Sequence, residues 1–150
     1  MPVLLPEYPK NKTEIVGETV SLFCAEIGGD FDIMDYRWLK WHNQRENATL
    51  ENLSDRSLYA VLSPQFYEIS TRQFLSLTRK GISLKLKNLT MEDQGLYTCL
   101  VSNSVGFSVR SAFLSVKYPL KSKVSIWSFI PLVYSLYSVY LSFIHYTSIH

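Results

Sequence analysis

Asp93-Gln94-Gly95-Leu96-Tyr97-Thr98-Cys99 is the stretch that decides the fold, because each of its fixed positions has a separate mechanical job. Gly95 permits a tight corner that a side chain would strain. Tyr97, two residues before the cysteine, is placed for its hydroxyl to reach back to upstream backbone and lock that corner. Asp93 can accept hydrogen bonds from turn amides, or pair with a base such as Arg72 or Arg79.

Working outward, the flanking segments carry apolar residues at every second position, the signature of half-buried antiparallel strands. Leu96–Val101 continues into a turn at Asn103-Ser104-Val105-Gly106 and then a strand over Val109–Val116 with Ala112, Leu114 and Val116 on one face. Upstream, Thr19–Cys24 places Val20, Leu22 and Cys24 on one face. Ile82–Lys87 places Ile82, Leu84 and Leu86 inward with both lysines out. From His42 to about Lys80 the alternation is poorer and Pro64 interrupts it, so edge strands and a long variable loop are expected there.

The second cysteine of the chain, Cys24, lies far upstream of Cys99. Two cysteines are too few for a zinc site or a disulfide-dense miniprotein, and enough for one bridge. Trp38, fourteen residues after Cys24, is placed to pack its indole against that bridge. Trp41 is the rival, but it differs from Trp38 by an odd number of positions. Tyr36, Trp38 and Lys40 therefore share one strand face, and Arg37, Leu39 and Trp41 share the other.

Cys24, Trp38, Asp93, Gly95, Tyr97 and Cys99 together specify an all-β chain: an immunoglobulin-like antiparallel β-sandwich of the I-set type over residues 1–118. A basic linker at 119–123, a candidate transmembrane segment at 124–144 and a short tail at 145–150 follow. Four Asn-x-Ser/Thr sequons, at Asn11, Asn47, Asn52 and Asn88, point with the cysteine pair to the secretory pathway and N-glycosylation.

At this point the sequence resembles a known family. Cys99–Ser108 followed by Ser111-Ala112-Phe113-Leu114-Ser115-Val116 is similar to the third, membrane-proximal immunoglobulin domain of fibroblast growth factor receptors. So are Pro2-Val3-Leu4, Asn11–Gly17, Trp38-Leu39-Lys40 and Asn88–Asp93, over about residues 2–117. The resemblance implies a fibroblast growth factor-like protein ligand, with an upstream immunoglobulin domain and heparan sulfate completing the receptor site. It also implies contacts from Asn103, Ser104, Val105 and Gly106, and from the stretches 28–35 and 73–80, whose length and sequence differ from the family. The kinase of such receptors has no counterpart here, since the glycine-rich loop, H-R-D and D-F-G are missing.

Other function classes fare worse. Fifteen Lys and Arg against 13 Asp and Glu, interspersed, leave a net charge of +2 and no footprint for a nucleic-acid backbone. His42, His145 and His150 are scattered, and no Ser or Cys nucleophile has a base nearby, so an enzyme is not expected, nor a cofactor. Asp30, Asp32 and Asp35 lack the loop glycine and terminal glutamate of a calcium-binding EF-hand and read as a solvated turn, so no metal is expected. The rival reading is an adhesion or guidance module that binds another immunoglobulin-family protein through a sheet face or edge. Exposure of Leu39 and Trp41 would favour it.

The tail sets the expected location. Val124–Ile144 has no charged residue and would span about 31 Å as a helix, close to a bilayer core of about 30 Å. Eleven of its residues are Val, Leu, Ile or Phe, against Pro131 and five serines. Lys117, Lys121 and Lys123 lie on the side that should be outside, contrary to the usual charge bias, and no Lys or Arg follows. Alternatives are a lipid-anchor signal at Ser122 and a truncated product carrying translated intron. The expected location is the cell surface, or secretion where the tail does not insert. Met1–Glu7 has neither a basic start nor an apolar run, so the sequence is expected to be a fragment or a truncated form whose export signal lies upstream.

Overall fold

The computed structural model describes residues 1–27, 35–43, 49–73, 80–120 and 136–137. The chain divides into two compact units, Met1–Pro119 and Leu120–His150. Among the described residues of the first, eight strands run in chain order: β1 (Lys12–Ile15), β2 (Val20–Ala25), β3 (Asp35–Trp41), β4 (Tyr59–Val61), β5 (Glu68–Gln73), β6 (Lys80–Leu86), β7 (Gly95–Asn103) and β8 (Gly106–Lys117). They form a five-stranded sheet ordered β1-β8-β7-β3-β4 and a three-stranded sheet ordered β2-β6-β5.

Alternation explains how the two sheets meet. In β2 the inward positions Val20, Leu22 and Cys24 are all buried. They oppose Leu86, Leu84 and Ile82 of β6 in an antiparallel register, Val20 on Leu86 and Cys24 on Ile82. In the other sheet Trp38 of β3 lies opposite Cys99 of β7, and Tyr97 opposite Ala112 of β8. Leu114, Val116, Val101, Leu89 and Leu4 complete one continuous core. The first strand pairs parallel to β8, Lys12 on Leu114 through Ile15 on Lys117, while the residues before it bridge from Leu4 to Glu26, the residue just after β2. The N-terminal segment thus touches both sheets in turn.

One helix was not legible in the sequence: α1 (Leu50–Ser54), within the region expected to be loop. Thr49 starts it by accepting the Asn52 amide at its hydroxyl, an N-cap.

Leu39 and Trp41 do lie on the β3 face opposite Trp38, but they are buried, each 2% exposed, rather than presented to solvent. The Trp41 indole N–H donates to Thr98 Oγ1 at 2.8 Å, and that hydroxyl shares a 2.7 Å hydrogen bond with Ser111 Oγ. The Trp41 ring meets Tyr59 of β4 edge-on, centroids 5.3 Å apart. An exposed apolar β3 face, the feature that would favour the adhesion reading, is absent at these two positions.

Among the described residues no helix is long and apolar enough to cross a membrane. The candidate segment 124–144 lies outside the described residues except for Leu136 and Tyr137, which are helical and exposed.

Candidate functional site

The first unit has two poles, and its chemistry is sorted between them. At one, Met91–Asp93 forms a single 3-10 turn ahead of β7. Asp93 Oδ2 accepts from the Thr90 amide at 2.7 Å and from the Thr90 hydroxyl at 3.1 Å, so its partner is the turn itself. The side chain of Arg72 and the whole of Arg79, the other partners considered, lie outside the described residues. Gly95 follows at φ +153°, where a side chain would be strained. Tyr97 donates its hydroxyl to the Asp93 carbonyl at 2.7 Å, and Lys40 closes the arrangement by donating its ammonium to the Glu92 carbonyl, 5.6 Å over the Tyr97 ring. Burial lowers the Lys40 pKa, outweighing the Asp93 and Glu92 carboxylates that favour its charge.

Tyr97→Phe is expected to cost about 1–2 kcal/mol, since it deletes one hydrogen bond and strands the carbonyl of Asp93. Burial first, then the Asp93 carboxylate, hold the Tyr97 phenol well above its ordinary value of 10.0. A raised folded-state value contributes stability that is fully present below about pH 10 and lost above it, as unfolded phenols ionise and the folded one does not. Urea titrations at pH 8 to 11 should therefore show a decline that is shallower in Tyr97→Phe.

Between the poles the disulfide ties the sheets together. Cys24 of β2 and Cys99 of β7 are joined at 2.11 Å, with Trp38 fully buried beside them. Alternation continues past Cys24 to Glu26, which therefore also points inward. Its carboxylate is buried with the Tyr36 hydroxyl as a polar neighbour, but neither group makes a well-formed hydrogen bond among the described residues, nor does Trp38 Nε1. Burial, and secondarily the Glu26 carboxylate, push the Tyr36 phenol well above its ordinary range.

The other pole carries the ligand-contact candidates. Strands β7 and β8 are joined by a two-residue turn, Ser104-Val105, closed by the pairing of Asn103 with Gly106. The Asn103 side-chain oxygen accepts from the Val105 amide at 3.0 Å and the Gly106 amide at 3.1 Å, fixing the turn from within. Gly106 adopts φ +158°, and a Cβ there would press on the Met1 side chain at 3.1 Å. The outcome is a rigid tip on which Val105 is 74% exposed. Met1, Val3 and Ile27, all exposed, belong to the same pole: the Ile27 amide donates to the Val3 carbonyl at 2.7 Å, and Ser108 donates to the Pro2 carbonyl. The two flanking contact stretches fall mainly on 28–34 and 74–79, outside the described residues.

The chemistry available at this pole is recognition. Among the described residues its groups include apolar side chains, amides and the Arg37 to Asp35 ion pair at 2.6 Å. No cluster of three or more His, Cys, Asp or Glu side chains that could hold a metal occurs among the described residues.

Of the four sequon asparagines, Asn11 accepts the Phe113 amide at 2.8 Å through its side-chain oxygen. Asn88 is exposed with φ 51°, in the left-handed region that Asn tolerates. Asn52 lies in α1, and Asn47 is outside the described residues.

Comparison with known proteins places this geometry. The sequence model of the immunoglobulin domain matches residues 2–103. The chain belongs to the immunoglobulin domain family. A fibroblast growth factor receptor of Halocynthia roretzi is 30% identical over 115 residues, which are 77% of this chain and 13% of the relative. The chain thus spans about an eighth of that receptor's length. Among solved structures, the immunoglobulin domain of the RIG-5 IG1 homodimer superposes with a TM-score of 0.56 at 18% identity, covering 77% of this chain and 97% of that one. The BTLA ectodomain gives 0.54 at 15% identity, covering 78% and 99%. At such identities these likenesses speak for the immunoglobulin fold alone.

Proposed function

We propose that this immunoglobulin domain is the extracellular, protein-binding module of a fibroblast growth factor receptor-like cell-surface protein, corresponding to the third domain of such receptors. The observation that carries the reading is the tip at Asn103, Ser104, Val105 and Gly106. It is a rigid turn that holds one apolar side chain in solvent beside Met1, Val3 and Ile27, and exposed apolar clusters mark interaction surfaces. The 30% identity to a receptor of that class supports the choice of ligand, a fibroblast growth factor-like protein. In the whole receptor an upstream immunoglobulin domain and heparan sulfate would complete the site. Within this chain the domain occupies residues 1–118, a linker 119–123, a membrane-anchoring segment 124–144 and a tail 145–150. Asn11, Asn47, Asn52 and Asn88 carry glycans, and the protein is secreted where the anchor does not insert.

The test is surface binding of the full chain, made through a secretory pathway, to a panel of fibroblast growth factors with an upstream receptor domain supplied. Val105→Asp is expected to lower affinity at least tenfold, whereas Val61→Asp, 52% exposed on edge strand β4, should leave it unchanged. Absence of binding to every factor, or loss through Val61→Asp alone, would sink the receptor reading.

A further inference from the structure

Where β5 begins and β6 ends, the domain carries a cleft of about 310 Å³ whose lining includes Phe66, Glu68, Lys85, Lys87 and Asp93. Phe66 is 83% exposed, although phenylalanine is among the side chains most often buried. The groups around it are polar. The Glu68 carboxylate accepts from Lys87 at 2.6 Å and from Lys85 at 3.4 Å, and both lysine side chains are partly exposed. Each ammonium has three donors and gives one to this carboxylate, so donors remain to offer a ligand hydroxyl. An aromatic plate beside such groups suits a pyranose. The C–H face of the sugar is weakly positive and meets the negative face of an aromatic ring, while its hydroxyls need donors and acceptors at the rim.

A sugar has an attachment point beside this cleft. Asn88 follows Lys87 directly, is exposed, and is the acceptor of an Asn-Leu-Thr sequon. The chain turns there at φ 51°, and the residues after it are held. Leu89 is fully buried, its amide donating to the Glu18 carbonyl at 3.0 Å and its carbonyl accepting the Gly17 amide at 2.8 Å. Thr90 donates its amide and its hydroxyl to the side chain of Asp93. Lys87 and Asp93 bracket this anchored segment, and both line the cleft. A sugar linked to Asn88 therefore starts from a fixed point, and a short tether gives it a local concentration on the order of millimolar, so weak contacts suffice to seat it.

We propose that the cleft beside Asn88 seats the inner N-acetylglucosamine residues of the glycan on that asparagine, which stack on Phe66 and hydrogen-bond to Lys87 and Glu68. The inference rests on the reading of the chain as an exported glycoprotein. The seated glycan covers an exposed aromatic ring and adds stability to the sheet β2-β6-β5. Strand β7 runs from the neighbourhood of Asp93 to the turn at Asn103, so a glycan held at this end leaves the Val105 pole open to a protein ligand.

The experiment is a double-mutant cycle on the full chain made through a secretory pathway, with Phe66→Ala and Asn88→Asp introduced singly and together and each form unfolded in urea. Aspartate removes the sequon while tolerating the left-handed turn. Peptide mapping reads the occupancy of the four sequons. With Asn88 glycosylated, Phe66→Ala is expected to raise the unfolding constant about fivefold, and in the Asn88→Asp background to leave it unchanged. The acetyl-methyl proton signal of the Asn88 glycan should also lose an upfield ring-current shift in Phe66→Ala. Equal cost of Phe66→Ala in both backgrounds, or a bare Asn88 while other sequons are filled, overturns this inference and leaves the glycoprotein reading standing. Four bare sequons overturn both.

Discussion

Replacing Cys24 and Cys99 together by alanine is expected to destabilise the domain by about 4 kcal/mol. The bridge closes a loop across a sequence separation of 75, and a cross-link of that span removes a large share of the unfolded chain's freedom. The folded state loses less, because both side chains are small and sit in a core already filled by Trp38, Leu22 and Leu84. Equilibrium urea unfolding of the double variant should show the midpoint fall with little change in slope. Thermal melting should drop by roughly 10–20 °C for a domain of this size. The single variants should fare worse than the double one, since each leaves a buried, unpaired thiol able to form wrong disulfides. A loss under about 1 kcal/mol in the double variant would mean that inter-sheet packing, and not the covalent tie, holds β2 against β7.

What the sequence revealed and what it hid follow from the length over which a pattern can repeat. β2, β6, β7 and β8 were legible because each runs for six residues or more with apolar residues on the core at alternate positions, enough for period-two alternation to stand out. β4 has three residues and pairs on one side only, so the sequence offered edge strands in that region without bounds, and α1 has five, too few to display a helical period, so it was not read. The burial of Leu39 and Trp41 was hidden for a different reason. Alternation assigns them to the face away from Trp38, yet it says nothing of whether that face is covered. Trp41 instead spends its indole N–H on Thr98, a polar residue whose own partner, Ser111, comes from a third strand. At the candidate site the turn Asn103–Gly106 was legible as a turn, but its rigidity was not. That depends on one side-chain oxygen serving two amides, and on Met1 standing over Gly106 from more than a hundred residues away in sequence. At Glu26 two patterns compete. Parity with Leu22 and Cys24 sends it inward, whereas its charge argues for solvent, and in the fold parity prevails.

Trp38→Ala should be at least as damaging as loss of the disulfide, costing about 3–5 kcal/mol, because the largest fully buried side chain of the core would leave a cavity between two sheets whose spacing the bridge holds fixed. Trp38→Phe separates size from polarity. Trp38 Nε1 has no hydrogen-bond partner among the described residues, so phenylalanine removes an unsatisfied donor along with some volume, and the net loss should stay near about 1 kcal/mol. At Trp41 the order is reversed in kind: there Trp→Phe removes a made bond and leaves Thr98 with Ser111 alone, so about 1–2 kcal/mol is expected from a residue that is no more buried. Urea unfolding of the three variants decides the matter. If Trp38→Phe proved more costly than Trp41→Phe, the Trp38 indole N–H would have to be paired in solution, with the buried Glu26 carboxylate or a water beside it as the acceptor to look for.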